Sequence, residues 1–373
     1  METAMYRNLG RHTAFAGLAA VLWLAKPATA AERDTIRQWQ FASAASGGFE
    51  LALKEVPQPA AARNQVAVRV HAASLNRRDL MMRGGRYGRG ATNVGGIPLS
   101  DGAGEVIAVG ADVERFKVGD RVAGIFFESW IDGAPSAQVL ATARGGNATG
   151  MLSEVVVADP ESLVAIPSHL SYEEAATLPC AGVTAWVGLF KRGGIESGQF
   201  VLLEGTGGVS VFGLQFAVAA GAKPIITSSS DAKLQRAREL GAFGTVNYRS
   251  NPDWQTEVRS LTGGAGVDQV LEVGGQDTLP KALQALAYDG HVAVIGGLSG
   301  FASDVPVGPL MGLAATVTGI YVGSRADFEA MNEFIAQHKI KPVVDRVFAF
   351  EDAPQAFAAM DEGEFFGKIV IRL

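Results

Sequence analysis

The residues best suited to chemistry form one run, Val201-Leu-Leu-Glu204-Gly205-Thr206-Gly207-Gly208-Val209-Ser210. A strand-like stretch leads into it and a helical pattern leaves it. In that setting Gly205 permits a tight turn and Gly207 lets the backbone approach a pyrophosphate. The helix start, with Thr206, Gly208 and Val209 around it, then stabilises the phosphate charge. Ser210 stands where the third glycine of a G-x-G-x-x-G fingerprint falls, and its small side chain still permits close helix–strand packing. The chemistry implied is dinucleotide binding; the alternative is a glycine-rich turn that holds nothing. The end of the next strand selects the dinucleotide, because an acid there accepts from the ribose hydroxyl of NAD. Here the sequence is Thr227-Ser228-Ser229-Ser230-Asp231-Ala-Lys233, with Ser228 at the place expected for the acid. The hydroxyls of Ser228 and Ser229 and the ammonium of Lys233 suit a 2′-phosphate. They favour NADP(H) over NAD(H), and Asp231 reads as the cap of the following helix.

Those residues need a frame. From residue 171 strand and helix signals alternate: strands at 200–203, 224–227, 245–248, 267–273, 291–295 and 316–322, helices at 209–220, 231–240 and 278–287. Such alternation, with helices of about ten residues, argues for an α/β fold with a parallel, doubly wound sheet. Residues 36–160 instead carry short strands broken by glycine, such as 65–70 and 105–109, as a mostly β, barrel-like domain does. The stretch 128–150, rich in Gly, Ala, Ser and Thr, reads as a loop. The tail returns to strand-like pieces at 347–350 and 368–372 around a helix near 353–360, and is expected to rejoin the first domain.

Composition narrows the function classes. At 373 residues with 19% charged, the chain is globular and long enough for two domains. A net charge of −6 speaks against a nucleic-acid binder. The single cysteine, Cys180, excludes an intramolecular disulfide and an all-cysteine zinc lobe. Near the start, Arg7 and Arg11 precede an apolar run at 13–25 and an Ala28-Thr29-Ala30 site, the pattern of a secretory signal peptide. The run is shorter than the ~20 residues a membrane span requires, so stable membrane insertion is not expected. Export to the periplasm or medium is the expectation; the alternative is a cytoplasmic enzyme with an upstream extension. Five arginines, Arg77, Arg78, Arg83, Arg86 and Arg89, stand among glycines. They read as a solvated surface loop or as a mouth attracting an anionic substrate.

Further motifs carry a family resemblance: Ala73-Ser-Leu-Asn76-Arg77-Arg78-Asp79-Leu, Leu99-Ser100-Asp101-Gly102-Ala-Gly104, Phe116-Lys-Val-Gly119-Asp120-Arg-Val and Leu178-Pro-Cys180-Ala-Gly-Val-Thr184-Ala-Trp. With the Gly205 run, this ordered set resembles the medium-chain dehydrogenase/reductase superfamily over residues 36–373. It is most similar to the zinc-independent branch holding quinone oxidoreductases and NAD(P)-dependent alcohol dehydrogenase-like proteins. The resemblance implies a GroES-like, mostly β substrate domain at 32–163, a Rossmann dinucleotide domain at 164–323, and a C-terminal part at 324–373 returning to the substrate domain. Residues 1–31 stand apart as the signal-like segment. In NADPH-dependent relatives a tyrosine of an N-Y-R segment approaches the 2′-phosphate, and Asn247-Tyr248-Arg249 matches it, which adds Tyr248 to the cofactor set.

The positions that hold catalytic zinc in zinc-dependent relatives are here Asn76, Ser100 and Cys180. Neutral Asn and Ser are poor zinc ligands, so no metal is expected and Cys180 reads as a packing residue. The resemblance places Asn76, Arg77 and Ser100 at the cleft as donors to a product anion, and Thr184 and Gly297 at the nicotinamide or its ribose. Without zinc an ordinary ketone is hard to polarise, whereas a quinone or α,β-unsaturated carbonyl accepts hydride more readily. The expected function is therefore zinc-independent, NADP(H)-dependent hydride transfer to or from such a small molecule. A zinc-free alcohol or aldehyde dehydrogenase and a non-catalytic dinucleotide-binding protein are the alternatives. The stretch 316–322 is expected at a sheet edge, open to pairing, and the resemblance implies a homodimer through it.

Overall fold

The computed structural model describes residues 34–45, 47–87, 94–302, 305 and 307–373; the signal-like segment and Arg89 lie outside them. Within Thr35–Leu373 the strands form a hairpin and two sheets. The hairpin pairs β1 (Thr35–Ser43) with β2 (Phe49–Pro57). The first sheet is built on β3 (Val66–Ser74), β4 (Asp101–Val109), β5 (Arg121–Gly124), β6 (Val155–Ala158) and β7 (Leu163–Ala165). The second holds β8 (Phe200–Leu203), β9 (Lys223–Ser228), β10 (Gly244–Asn247), β11 (Val267–Glu272), β12 (Leu286–Val294) and β13 (Thr316–Gly319). The chain then returns to the first sheet with β14 (Val344–Ala349) and β15 (Lys368–Arg372), whose β15 pairs antiparallel with β3.

The second sheet is parallel throughout, in the order β10-β9-β8-β11-β12-β13. Its central strands read as unbroken apolar runs because both faces are covered. Val201, Leu202, Leu203, Ile225, Ile226, Val270 and Leu271 are buried. The first sheet follows the order β14-β15-β3-β4-β5-β7. One apolar cluster joins the sheets, running from Ala72, Ala103 and Phe126 to Leu203, Val211 and Leu271. The two sheets therefore share a continuous packed core.

Five helices matter for the site: α1 (Arg77–Arg83), α2 (Gly208–Ala219), α3 (Asp231–Glu239), α4 (Arg325–His338) and α5 (Ala353–Glu362). Helix α2 is apolar around most of its circumference because it is buried in the core, as all-round hydrophobicity predicts. Gly213 allows its close approach to the sheet, since a Cβ there would lie 2.7 Å from Leu271 and 2.8 Å from Leu203. Helix α4 opens on a Ser324–Asp327 capping box and buries Phe328, Met331 and Ile335. Cys180 and Thr184 lie on a run with π-helical turns, Leu178–Gly182 and Val187–Arg192, on either side of the α-helical Val183–Trp186.

Three expectations need correction. Asp231 is not the cap of α3: Ser230 is, its hydroxyl accepting from the Lys233 N–H at 3.4 Å, while Asp231 accepts from Asn247 Nδ2 at 2.8 Å. The strand expected at 316–322 ends at Gly319, beyond which Val322 holds φ +58°, a left-handed conformation that a β-branched residue cannot keep in a strand. The helix expected at 278–287 spans Leu279–Ala285, and Leu286 already begins β12.

Candidate functional site

The dinucleotide motif folds as its spacing demands. Strand β8 ends at Leu203, the chain turns at Gly205 with φ +72°, and α2 begins at Gly208. The positive φ at Gly205 is a conformation in which a side chain would be strained. A Cβ on Gly207 would meet nothing within 4 Å, and no side chain caps the helix start. Its first N–H groups are thus left to an incoming anion, and the cradle fits a pyrophosphate. Gly208 has a different duty, because its Cβ would lie 2.6 Å from Lys368 Cδ. Ser210 is buried and donates its hydroxyl to the Glu204 carbonyl at 2.6 Å, which tightens the loop. The small residue at that position therefore ties the turn, and Gly213 provides the close packing.

At the far end of the groove the loop, β9 and β10 are laced together. The Gly205 N–H donates to Thr227 Oγ1 at 3.2 Å, the hydroxyls of Thr206 and Ser228 lie 3.5 Å apart, and the Tyr248 N–H donates to the Ser228 carbonyl at 3.0 Å. Ser228 is buried, Ser229 half-buried, and the exposed Tyr248 stands beside them. Lys233 is drawn aside: its ammonium donates to the Gly363 carbonyl at 2.8 Å and lies 3.5 Å from Glu364. At the other end Thr184 is buried and Gly297 half-buried. A Cβ on Gly297 would lie 2.7 Å from the Phe301 ring.

Beneath the loop lies a pair of acids that the motif analysis passed over. Glu204 Oε2 accepts from the N–H groups of Val273 and Gly274 at 3.2 and 3.4 Å. Glu272 Oε1 accepts from the Gly275 N–H at 2.7 Å and the Thr278 hydroxyl at 2.6 Å. The second oxygen of each has no other partner among the described residues. Burial and the neighbouring Glu272 push the Glu204 carboxyl well above the usual range, which favours its protonated form.

Toward the first sheet, Asn76, Ser100, Asp101 and Cys180 converge on Lys368. The Lys368 ammonium is buried, donates to the Leu75 carbonyl and to Asn76 Oδ1, each at 2.6 Å, and lies 3.7 Å from Asp101 Oδ2. Ser100 donates its hydroxyl to Asp101 Oδ1 at 2.7 Å, and the Cys180 N–H donates to Asp101 Oδ2 at 3.3 Å. Burial pushes both the Asp101 carboxyl and the Cys180 thiol up, the acid being opposed by Lys368. Asp79 accepts from the Asn76 N–H at 2.7 Å, and burial, countered by Arg78, leaves its carboxyl at about 6. Leu99, at φ +68°, delivers Ser100 and Asp101 into this cluster, backbone strain of the kind found beside functional groups.

Two of the three expected donors change role. The single proton of Ser100 is engaged with Asp101, so Ser100 orients that carboxylate. Arg77 does not join Asn76: it is exposed on the outer face of α1, where with Arg83, Arg86, Glu50 and Asp361 it lines a cavity of about 530 Å³. Arg78 turns inward instead, buried between Tyr87 and Phe126. Asn76 Nδ2 makes no hydrogen bond of normal geometry among the described residues, and its side chain lies beside the Asp101 carboxylate, whose ionisation it favours. Lys368 and Tyr321 were missed, and Arg78 was read only among the five arginines of a surface loop or substrate mouth. Only Arg78 carried a signal, as the next residue along a seven-residue helix whose facing could not be read from its length.

Comparison with known proteins places this geometry. Residues 62–168 match the family model for an alcohol dehydrogenase GroES-like domain, and residues 208–337 the model for a zinc-binding dehydrogenase. The chain is 42% identical over 325 residues to a zinc-type alcohol dehydrogenase-like protein of Schizosaccharomyces pombe, covering 86% of this chain and 93% of that one. A candidate alcohol dehydrogenase of Sinorhizobium meliloti 1021, solved by crystallography, superposes with a TM-score of 0.86 at 41% identity, covering 91% of this chain and 99% of its own. A quinone oxidoreductase of Pseudomonas syringae superposes at 0.75 with 30% identity, covering 91% and 100%. The donor set of this chain does not fit the zinc of the second family description. Asn76 Oδ1 is taken by an ammonium, Ser100 is engaged with Asp101, and burial pushes the Cys180 thiol up, which leaves one thiol of the usual ligand set.

Proposed function

The chain belongs to the medium-chain dehydrogenase/reductase superfamily, and from that premise we propose that it is a zinc-independent, NADP(H)-dependent oxidoreductase acting on a small quinone or α,β-unsaturated carbonyl. One observation carries the reading: the Lys368 ammonium lies among Asn76, Leu75 and Asp101, where the resemblance puts a metal in zinc-dependent relatives. The dinucleotide, when bound, supplies or accepts hydride at its nicotinamide ring. The open side of Gly207 and the start of α2 hold the pyrophosphate, and Thr184 and Gly297 border the nicotinamide end. Ser228, Ser229 and Tyr248 take the adenosine end, and a serine in place of an acid there supports NADP(H). Lys233 reaches the 2′-phosphate by leaving the Gly363 carbonyl.

Asn76 is the donor at the reacting oxygen. Its amide oxygen accepts from a buried cation, which polarises the Nδ2–H bonds. A preoriented donor in a desolvated cleft favours the charge that develops as hydride reaches carbon. A conjugated acceptor needs no stronger polarisation, which supports quinones and enones over simple ketones. The exposed edge of β13, with Val317 showing 38% of its surface, supports a homodimer. The pattern of residues 1–31 supports export.

The test is oxidation of NADPH, and separately of NADH, by metal-stripped protein offered benzoquinone. Turnover preferring NADPH is expected. Activity that requires added zinc, with an alcohol as substrate, would overturn the reading.

A further inference from the structure

Hydride transfer as derived leaves one buried cation without a task. The Arg78 side chain is 6% exposed. Its Nη1 donates to the Arg144 carbonyl at 2.8 Å and lies 3.8 Å from Asp79 Oδ1. Its Nε and Nη2 have no hydrogen-bond partner among the described residues. Those two nitrogens form one side of the guanidinium fork, with parallel N–H bonds that match the two oxygens of a carboxylate. The guanidinium lies 5.0 Å from the Tyr87 ring centroid and 4.7 Å from that of Phe126, with the Tyr87 hydroxyl also beside it, so the space around it is flat, aromatic and edged by one hydroxyl.

Other buried cations nearby are compensated: Lys368 by Asp101, and Arg144 by Glu128 at 2.8 Å. Asp79 faces only the Nη1 side of Arg78, and a buried donor pair left unpaired is costly to keep. The fork also lies beside the cluster around Cys180. It is close enough to the Cys180 thiol to bias its ionisation, and Tyr87, which covers it, reaches across to Tyr321 with hydroxyls 3.2 Å apart.

We propose that the Nε–Nη2 edge of Arg78 is a specificity clamp for a carboxylate carried by the substrate, so that the acceptor is a planar, conjugated carbonyl compound bearing an acid group. This rests on the reading of the chain as a quinone or enone oxidoreductase and narrows its substrate class. A substrate reaches the edge when the Tyr87 side chain swings aside and gives up its contact with Tyr321. The flat body of the substrate then lies against Phe126 while the carboxylate satisfies both free N–H groups. An uncharged analogue leaves those donors unpaired, the condition under which polar pockets discriminate most strongly.

The experiment compares 3-benzoylacrylate with its methyl ester as acceptors for the full chain with NADPH, alongside benzoquinone. Wild type should favour the acid in kcat/KM by at least about tenfold, mainly through KM. Arg78→Lys keeps a charge but has no fork, so the acid-to-ester ratio should fall toward unity. Independently of turnover and of any variant, benzoate should raise the melting temperature of the wild type and benzamide should not. Equal kcat/KM for acid and ester, an unchanged ratio in a folded Arg78→Lys protein, or equal effects of benzoate and benzamide each overturn the clamp. Failure to oxidise NADPH with all three acceptors overturns the underlying functional reading instead, and the benzoate result still decides the clamp.

Discussion

Replacing Glu204 by Gln tests the shared proton beneath the cofactor loop. Glu204 and Glu272 are buried, and each spends one oxygen on backbone or hydroxyl donors of the segment 273–278. Burial beside one another favours a proton shared by their remaining oxygens. A carboxyl whose native pKa lies above its unfolded value of about 4.3 contributes stability in full below that value, and loses it as pH rises through the native pKa. Across that window the wild type should lose about 1.4 kcal/mol per pH unit from this pair. Glutamine carries the hydrogen permanently: its carbonyl can accept from Val273 and Gly274 while its amide donates to Glu272. Urea unfolding of both proteins without cofactor, from pH 5 to pH 8, reads the outcome directly. Near pH 5 the two should be alike, and the variant should become the more stable as pH rises. Asp79 and Asp101 titrate in both proteins and drop out of the difference. Parallel curves, or a variant less stable at every pH, would refute the shared proton.

Gly207→Ala places a methyl in space that no protein atom occupies, so thermal stability should hold while NADPH affinity, followed by fluorescence titration, falls by about tenfold or more as the methyl meets the pyrophosphate. Lys368→Met leaves Asp101 buried without its cation, which should cost about 3–5 kcal/mol at pH 8. Because an unpaired buried acid has its pKa raised further, that loss should shrink as pH falls, and calorimetry at pH 5 and pH 8 checks the sign. Ser228→Asp should repel a 2′-phosphate and shift the kcat/KM ratio toward NADH by about tenfold or more.

What the sequence made legible is what lies close together along the chain. The Gly205–Ser210 run announced its turn and helix because the turn is closed locally, by the positive φ of Gly205 and the Ser210–Glu204 hydrogen bond, and the β8, α2 and β15 boundaries were readable to within a residue. The Ser324–Asp327 box, with its helix behind it, is equally local and was equally open to reading from the sequence. Facing was harder. On α1, Arg77 and Arg78 are both arginine, and nothing local says which turns inward; the packing of Tyr87 and Phe126 decides it. Chemistry made by distant partners was not legible at all. Glu204 reads as an ordinary loop acid until Glu272 is placed beside it, and Lys368 reads as one more charged strand residue until Asn76 arrives from 292 positions away.

That last distance bears on how the protein is made. Strand β3 is laid down early, but its β15 neighbour, with Lys368 at its head, emerges only after the whole parallel sheet has been synthesised. Until then β6 covers only the Val66–Arg69 part of one β3 edge, the Ala72–Ser74 part has no partner strand and Asp101 has no cation, while β8 to β13 have all they need to pair with one another. The nascent chain should therefore hold an assembled nucleotide groove before it holds a reaction centre. For that interval the first sheet carries an open strand edge, the kind of surface that recruits chaperones or invites aggregation.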